Sequence, residues 1–394
     1  MVVVTKEGAR ALGDVAVNCS VEVCACYPIT PTTHMTEELA KQYADGKIPQ
    51  YITVESEFSA LSALVGASAT GTRTLTTTGG QGLLLMHEVL HSAAGMRLPI
   101  VMVVGNRAVS SPLNIWNDEQ DTISQRDTGW IQIYCKSNQE AVDSLPQAFK
   151  IAETVMLPVM VCIDGHFLTH NVEQMDIVDK HHIDKFLPKF RHPMPLDPEN
   201  PVSVGVYANP THYQMFREDL MNDLNESKKV IKEVGEEWGK LTGRKYGLIN
   251  AYKCKDAERI IVGLGSVMDN VISVVDELRD KGEKVGALHL RVYRPFPAEE
   301  LKEVLAGKKV AVLERNISLG AAAPVYVEIF EALNGHNGNS KAPETVISSF
   351  YGGLGGRGIK RTDLKEIYEK IKSKTPLHEW VTKTSPQLLS QVKK

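Results

Sequence analysis

Six cysteines in 394 residues are too few for a disulfide scaffold, and no Cys-x-x-Cys occurs. The only close pair is Cys24-Ala-Cys26. A cubane iron–sulfur cluster takes four thiolates in clustered spacing, so these residues read as inert thiols of a reducing compartment. Basic excess is also missing. Lys and Arg total 44 against 48 Asp and Glu, a net charge of −4, which argues against phosphate-neutralising contact with nucleic acid. Long apolar runs are absent too: Leu98–Val104, among the longest, falls far short of the roughly 20 residues that cross a bilayer. The opening MVVVTKEGAR reaches Lys6 and Glu7 before an apolar core can develop, so no secretory signal is read there. The expectation is a cytoplasmic chain without nucleic-acid or membrane partners. The sequence has no G-x-x-x-x-G-K-[ST] and no G-x-S-x-G, which excludes a P-loop and a nucleophile elbow.

What remains is ordinary globular composition, 43% hydrophobic and 23% charged, long enough for two or three domains. Residues 1–165 alternate short apolar strands with helical patterns, the signature of a parallel α/β sheet. Strands are expected at Val21–Cys26, Tyr51–Val54, Arg73–Thr78 and Ile100–Val104. Helices are expected from His34 to about Ala44, from Glu57 to Thr70, and from the glycine loop at Gly79–Gly82 to about Gly95. Residues 166–255 read as a linker and helical arm. They contain four prolines within Arg191–Pro201 and a charged stretch, Asp219–Leu241, whose apolar residues recur at helical spacing. A second α/β unit is expected over 256–370, followed by a peripheral tail, 371–394.

Two motifs carry less than their spelling suggests. His87-Glu-Val-Leu-His91 matches the zinc pattern H-E-x-x-H, but the extended pattern fails at Ala94 and Arg97, and no third ligand is spaced for it. Gly353-Leu-Gly-Gly-Arg-Gly358 matches G-x-G-x-x-G, yet only 36 residues follow, too few for a dinucleotide-binding unit. A turn rich in positive φ angles is expected instead.

Three segments fall at the carboxyl ends of successive expected strands, where open α/β sheets hold their ligands. They are Tyr27-Pro-Ile-Thr-Pro31, Val54-Glu-Ser-Glu57 and Thr76-Thr-Thr-Gly-Gly-Gln-Gly82; a fourth, Gly105-Asn-Arg107, follows Ile100–Val104. With RLPIVM, NIWNDEQDTISQRDTGW, VYRPFP and GGLGGRG they make a pattern that covers nearly the whole chain. The pattern resembles the 2-oxoacid:ferredoxin oxidoreductases, and within them the alpha chain of the multi-subunit pyruvate enzymes.

The resemblance implies a thiamine diphosphate pyrimidine-type α/β domain with a parallel sheet, plus an α/β domain like the transketolase C-terminal domain. It implies that Glu57 bonds N1′ of the aminopyrimidine, so that the amino group can take the thiazolium C2 proton. Gly80 and Gln81 match the cofactor-facing loop. Thr30 matches the threonine that donates to the 2-oxoacid, and Arg107 the arginine that grips its carboxylate, a planar anion suited to a guanidinium. No metal ligand is assigned to this chain. The Gly-Asp-Gly diphosphate anchor of the family is absent. The implied chain therefore offers half an active site, with Mg2+, [4Fe-4S] clusters and the electron exit to ferredoxin on beta, gamma and delta-type partners. The implied reaction converts pyruvate and coenzyme A to acetyl-CoA and CO2, with branched-chain 2-oxoacids or 2-oxoglutarate as alternative substrates. The readings from other classes are a zinc hydrolase built on His87 and His91 and a non-catalytic assembly subunit.

Overall fold

A computed structural model describes residues 1–335 and 345–382. It divides into two compact units: Met1–Asn250 with Leu290–Pro297, and Ala251–His289 with the chain from Ala298 onward.

Strands buried on both faces must be apolar throughout, and the first unit is organised by such strands. Val101–Asn106 and Val159–Asp164 are buried at every residue. They sit centrally in a sheet whose order among the described residues is Val292–Arg294, Ile131–Tyr134, Val159–Asp164, Val101–Asn106, Thr74–Thr78, Val23–Cys26, Gln50–Thr53. All neighbours are parallel except Val292–Arg294, which runs antiparallel to Ile131–Tyr134. The helix Glu57–Ala69 begins where Ser56 Oγ accepts a hydrogen bond from the Ser59 N–H at 3.2 Å, a serine N-cap. Val2–Glu7 pairs antiparallel with Val172–Ile177 in a separate ribbon.

The segment expected as a separate arm, 166–255, is largely part of this first unit. Its charged helix spans Pro210–Thr242 and turns an apolar stripe, including Leu220, Ile231, Val234 and Trp238, into the main core. Trp238 meets Phe186 edge-on at 4.9 Å between ring centroids. Burial of that stripe joins the helix to the unit that the periodicity alone left unassigned. The proline-rich stretch 191–201 carries no helix or extended strand.

The second unit holds a sheet in the order His378–Trp380, Val346–Tyr351, Lys309–Glu314, Arg259–Gly263, Val285–His289, Asn250–Tyr252. Part of the expected tail thus adds a strand, His378–Trp380, parallel to Val346–Tyr351; residues 383–394 lie outside the described residues. Gly353, Gly355 and Gly356 all take positive φ, so the G-x-G-x-x-G segment is a turn. Among the described residues no helix is long and apolar enough to cross a membrane.

Arg291 anchors the Leu290–Pro297 excursion to the first unit. Its fully buried guanidinium donates to Glu140 Oε1 (2.9 Å), Ser144 Oγ (2.9 Å) and Gly247 O (3.2 Å). Burial raises the Glu140 carboxyl above its ordinary value, although Arg291 pulls it down. Arg291→Met strands that carboxylate without its cation and is expected to cost about 3–5 kcal/mol in denaturant unfolding. A change within experimental error would show that the pair does not anchor the excursion.

Candidate active site at the carboxyl ends of the strands

Parallel strands point their carboxyl ends the same way, so the loops that leave them share one edge of the first unit. The residues linking those loops begin with a carboxylate. Asp121, in the short helix Gln120–Ile123, is fully buried. Its Oδ2 accepts from the backbone N–H of Gly80 (2.8 Å) and of Arg107 (2.9 Å). Its Oδ1 accepts from the Asn106 side-chain amide (3.0 Å) and the Thr122 N–H (2.8 Å). One side chain therefore ties the loop after Thr74–Thr78 to the loop after Val101–Asn106. Burial pushes the Asp121 carboxyl up to about 7, against the pull of the N–H donors.

Arg107 is only 7% exposed. Its Nη1 donates to Thr30 O at 3.0 Å and its Nε to Asn114 O at 3.1 Å. A guanidinium has five N–H donors, so these two bonds leave capacity for an anion. Burial lowers the Arg107 pKa, and the nearby Asp121 and Glu57 carboxylates oppose that shift. Gly80 lies beside it with φ +55°, and a Cβ there would come within 3.0 Å of Arg107 Cδ. The positive φ favours glycine there, and a side chain would crowd the arginine.

Glu57 is the first residue of its helix, where the helix dipole favours an anion. It is 6% exposed, yet among the described residues its carboxylate makes no hydrogen bond and no ion pair. A Cβ on Gly82 would lie 2.5 Å from Glu57 Oε1, so the glycine loop packs directly on the acid. Between Gly80 and Gly82, the Gln81 amide has both its nitrogen and its oxygen buried without a partner.

Thr30, Glu57, Gly80, Gln81 and Arg107 therefore fall on neighbouring loops of one edge. The Thr30 contact with Arg107 runs through the Thr30 backbone carbonyl. The stretch Pro112–Asn117 abuts the arginine through Asn114 and leaves Leu113 and Trp116 exposed. His87 and His91 stand elsewhere, with the His87 Nδ1 2.5 Å from Gln125 Oε1 and the two rings edge-on at 5.0 Å. No third metal-ligating side chain joins them among the described residues. All six cysteines are buried, which raises their thiol pKa values, for Cys26 to about 12 and Cys254 to about 11.

Asp121→Asn keeps the shape but replaces one acceptor oxygen with a donor, leaving two N–H groups unpaired. The expected loss is about 1–3 kcal/mol for each donor so stranded, read by chemical denaturation of the full chain. The folded pKa of Asp121 lies above its unfolded value of 3.8. Its protonation therefore contributes stability that is full below about pH 4 and is lost as pH rises to about 7. The advantage of wild type over the variant should shrink across that window; a pH-independent difference would contradict a titrating Asp121.

Comparison with known proteins covers both units. Residues 14–236 match the family described as pyruvate flavodoxin/ferredoxin oxidoreductase, thiamine diP-bdg. Residues 257–364 match pyruvate:ferredoxin oxidoreductase core domain II. The chain is 44% identical over 376 residues to the pyruvate synthase subunit PorA of Methanothermobacter thermautotrophicus, covering 94% of this chain and 96% of that one. It is 46% identical over 373 residues to PorA of Pyrococcus abyssi, covering 91% and 93%. The ketoisovalerate oxidoreductase subunit VorA of Pyrococcus abyssi is 44% identical over 369 residues, covering 93% and 92%. In fold, the chain is similar to the 2-oxoglutarate:ferredoxin oxidoreductase of Magnetococcus marinus, with a TM-score of 0.72 at 18% identity. That match covers 94% of this chain and 65% of the other. Matches that run through both units and relatives aligned over more than nine-tenths of their length lead to one conclusion: this chain belongs to the pyruvate:ferredoxin oxidoreductase family.

Proposed function

We propose that the chain is the alpha subunit of a thiamine diphosphate-dependent pyruvate:ferredoxin oxidoreductase. The complex would convert pyruvate and coenzyme A to acetyl-CoA and CO2, passing two electrons to ferredoxin, and would run in reverse as a pyruvate synthase. The observation that carries this reading is Glu57, a buried carboxylate without a protein donor, beside the buried and unpartnered amide of Gln81. Such groups fit the polar edge of an aminopyrimidine, and the glycine loop that packs on Glu57 leaves the close approach such a ring needs.

Thiamine diphosphate, when bound, supplies a carbanion-stabilising thiazolium for decarboxylation of the 2-oxoacid. This chain's own residues act around it. Glu57 holds a proton at the pyrimidine N1′. Gly80 by its backbone and Gln81 by its amide would hold the ring beside Glu57. Arg107 turns its remaining N–H donors to the pyruvate carboxylate, a charge-assisted contact. Thr30 orients the same anion with its hydroxyl, while its carbonyl holds the arginine. Mg2+, the diphosphate anchor and the [4Fe-4S] clusters belong to partner chains of beta, gamma and delta type, which the missing Gly-Asp-Gly and cluster cysteines support. Assembly is also supported by the relatives, which are named as subunits. The buried free thiols suit a reducing cytoplasm.

Arg107→Ala in the reconstituted complex removes a desolvated charge from the anion, a change of roughly 2–5 kcal/mol. At about 1.4 kcal/mol per decade, kcat/KM should fall about 30-fold to several thousand-fold, with thiamine diphosphate binding intact. Steady-state rates with pyruvate, 2-oxobutyrate, 2-oxoisovalerate and 2-oxoglutarate test both claims. Wild type should prefer pyruvate; a preference for 2-oxoisovalerate would favour the ketoisovalerate role of the VorA relative. No loss in the variant with any of the four would remove Arg107 from the substrate site.

A further inference from the structure

Three side chains able to ligate a cation converge in the first unit, and none belongs to the site above. Glu7 ends the strand Val2–Glu7, His34 lies in the first turn of the helix Thr33–Ala44, and His170 follows the strand Val159–Asp164. They come from distant parts of the sequence, yet one ligand atom of each lies within 4.8 Å of the other two. Glu7 Oε1 and His34 Nδ1 are 2.5 Å apart, and the His34 and His170 ring centroids are 4.8 Å apart. All three are half-buried, so water can reach a remaining coordination position.

We propose that Glu7, His34 and His170 form a binding site for a zinc-type divalent cation, completed by water. Two imidazoles with one carboxylate suit zinc and its transition-metal neighbours, whereas magnesium and calcium prefer oxygen donors alone. The surroundings support the assignment. The buried Thr169 hydroxyl lies 2.7 Å from His170 Nδ1 and also accepts the His166 N–H at 2.8 Å. That contact fixes the ring plane of His170, as outer partners of metal-bound imidazoles do. A bound cation would clip together the start of the chain, the helix that follows the Thr30 loop, and the loop carrying His166.

The test uses the full chain, stripped with chelator and titrated with Zn2+ alone. Its six cysteines are buried with raised thiol pKa values and do not compete in the folded protein. One zinc per chain is expected by equilibrium dialysis, and cobalt substituted for zinc should give a visible ligand-field spectrum. Since loss of an outer partner alone weakens metal binding about 10–100-fold, His34→Gln and His170→Gln should each weaken it more than about 100-fold. His91→Gln, in the helix at His87–Gly95, should leave it unchanged. Saturating zinc should also raise the unfolding temperature of wild type and of His91→Gln. Failure of wild type to hold one zinc would overturn the proposal without reference to any variant. Retention of wild-type affinity in both His34→Gln and His170→Gln would overturn it equally.

Discussion

The candidate site depends on one buried carboxylate that accepts from two loops at once. Asp121 receives the Gly80 and Arg107 backbone N–H groups on one oxygen, and Asn106 and Thr122 on the other. Buried N–H groups must find acceptors, and only an ionised or strongly polar acceptor on a short stem can serve four donors in so little space. The consequence is geometric. The loop that carries Gly80 and Gln81 and the loop that carries Arg107 cannot separate without breaking hydrogen bonds to this one side chain. The glycine loop and the arginine loop are thereby held in fixed relation to each other.

Around that tie, each of the other groups has a separate reason for its position. Strands buried on both faces bring the loops to one edge, and TLTTT at Thr74–Thr78 is buried throughout like its apolar neighbours. Glu57 stands at a helix N-terminus, which favours its negative charge without using a side-chain donor. That leaves the acid unspent toward the protein and available to a ligand. Arg107 is treated in the opposite way, fixed by the Thr30 and Asn114 carbonyls while part of its donor fork stays open. A preorganised acid and a preorganised cation on the same edge suit a reaction that needs both a proton position and an anion clamp.

Much of this was readable in the sequence because apolar runs and turn residues report local structure directly. The strand expected at Ile100–Val104 is observed at Val101–Asn106, and the helix expected from Glu57 to Thr70 ends at Ala69. The loops bearing Thr30, Glu57, Gly80 and Arg107 follow from those strands. Other features depend on contacts between distant residues and leave no local signal. Asp121 stands among Asp118, Glu119 and Asp127, and nothing in the pattern marks it as the one that bridges two loops. The apolar stripe of Pro210–Thr242 predicts a helix but not the core it joins. Val292–Arg294 leaves the second unit's run of chain to pair with Ile131–Tyr134, an assignment fixed by the buried Arg291 rather than by periodicity.

The central claim is that Glu57 governs proton movement at the thiamine ring. The most direct measurement is the rate at which the assembled, cofactor-loaded complex exchanges the thiazolium C2 proton with solvent deuterium, compared between wild type and Glu57→Gln. Glutamine preserves the shape of the side chain but cannot hold the N1′ proton in the same way. The account predicts that exchange slows by about 10²–10⁴-fold while thiamine diphosphate remains bound. Exchange at the wild-type rate in the variant would contradict it.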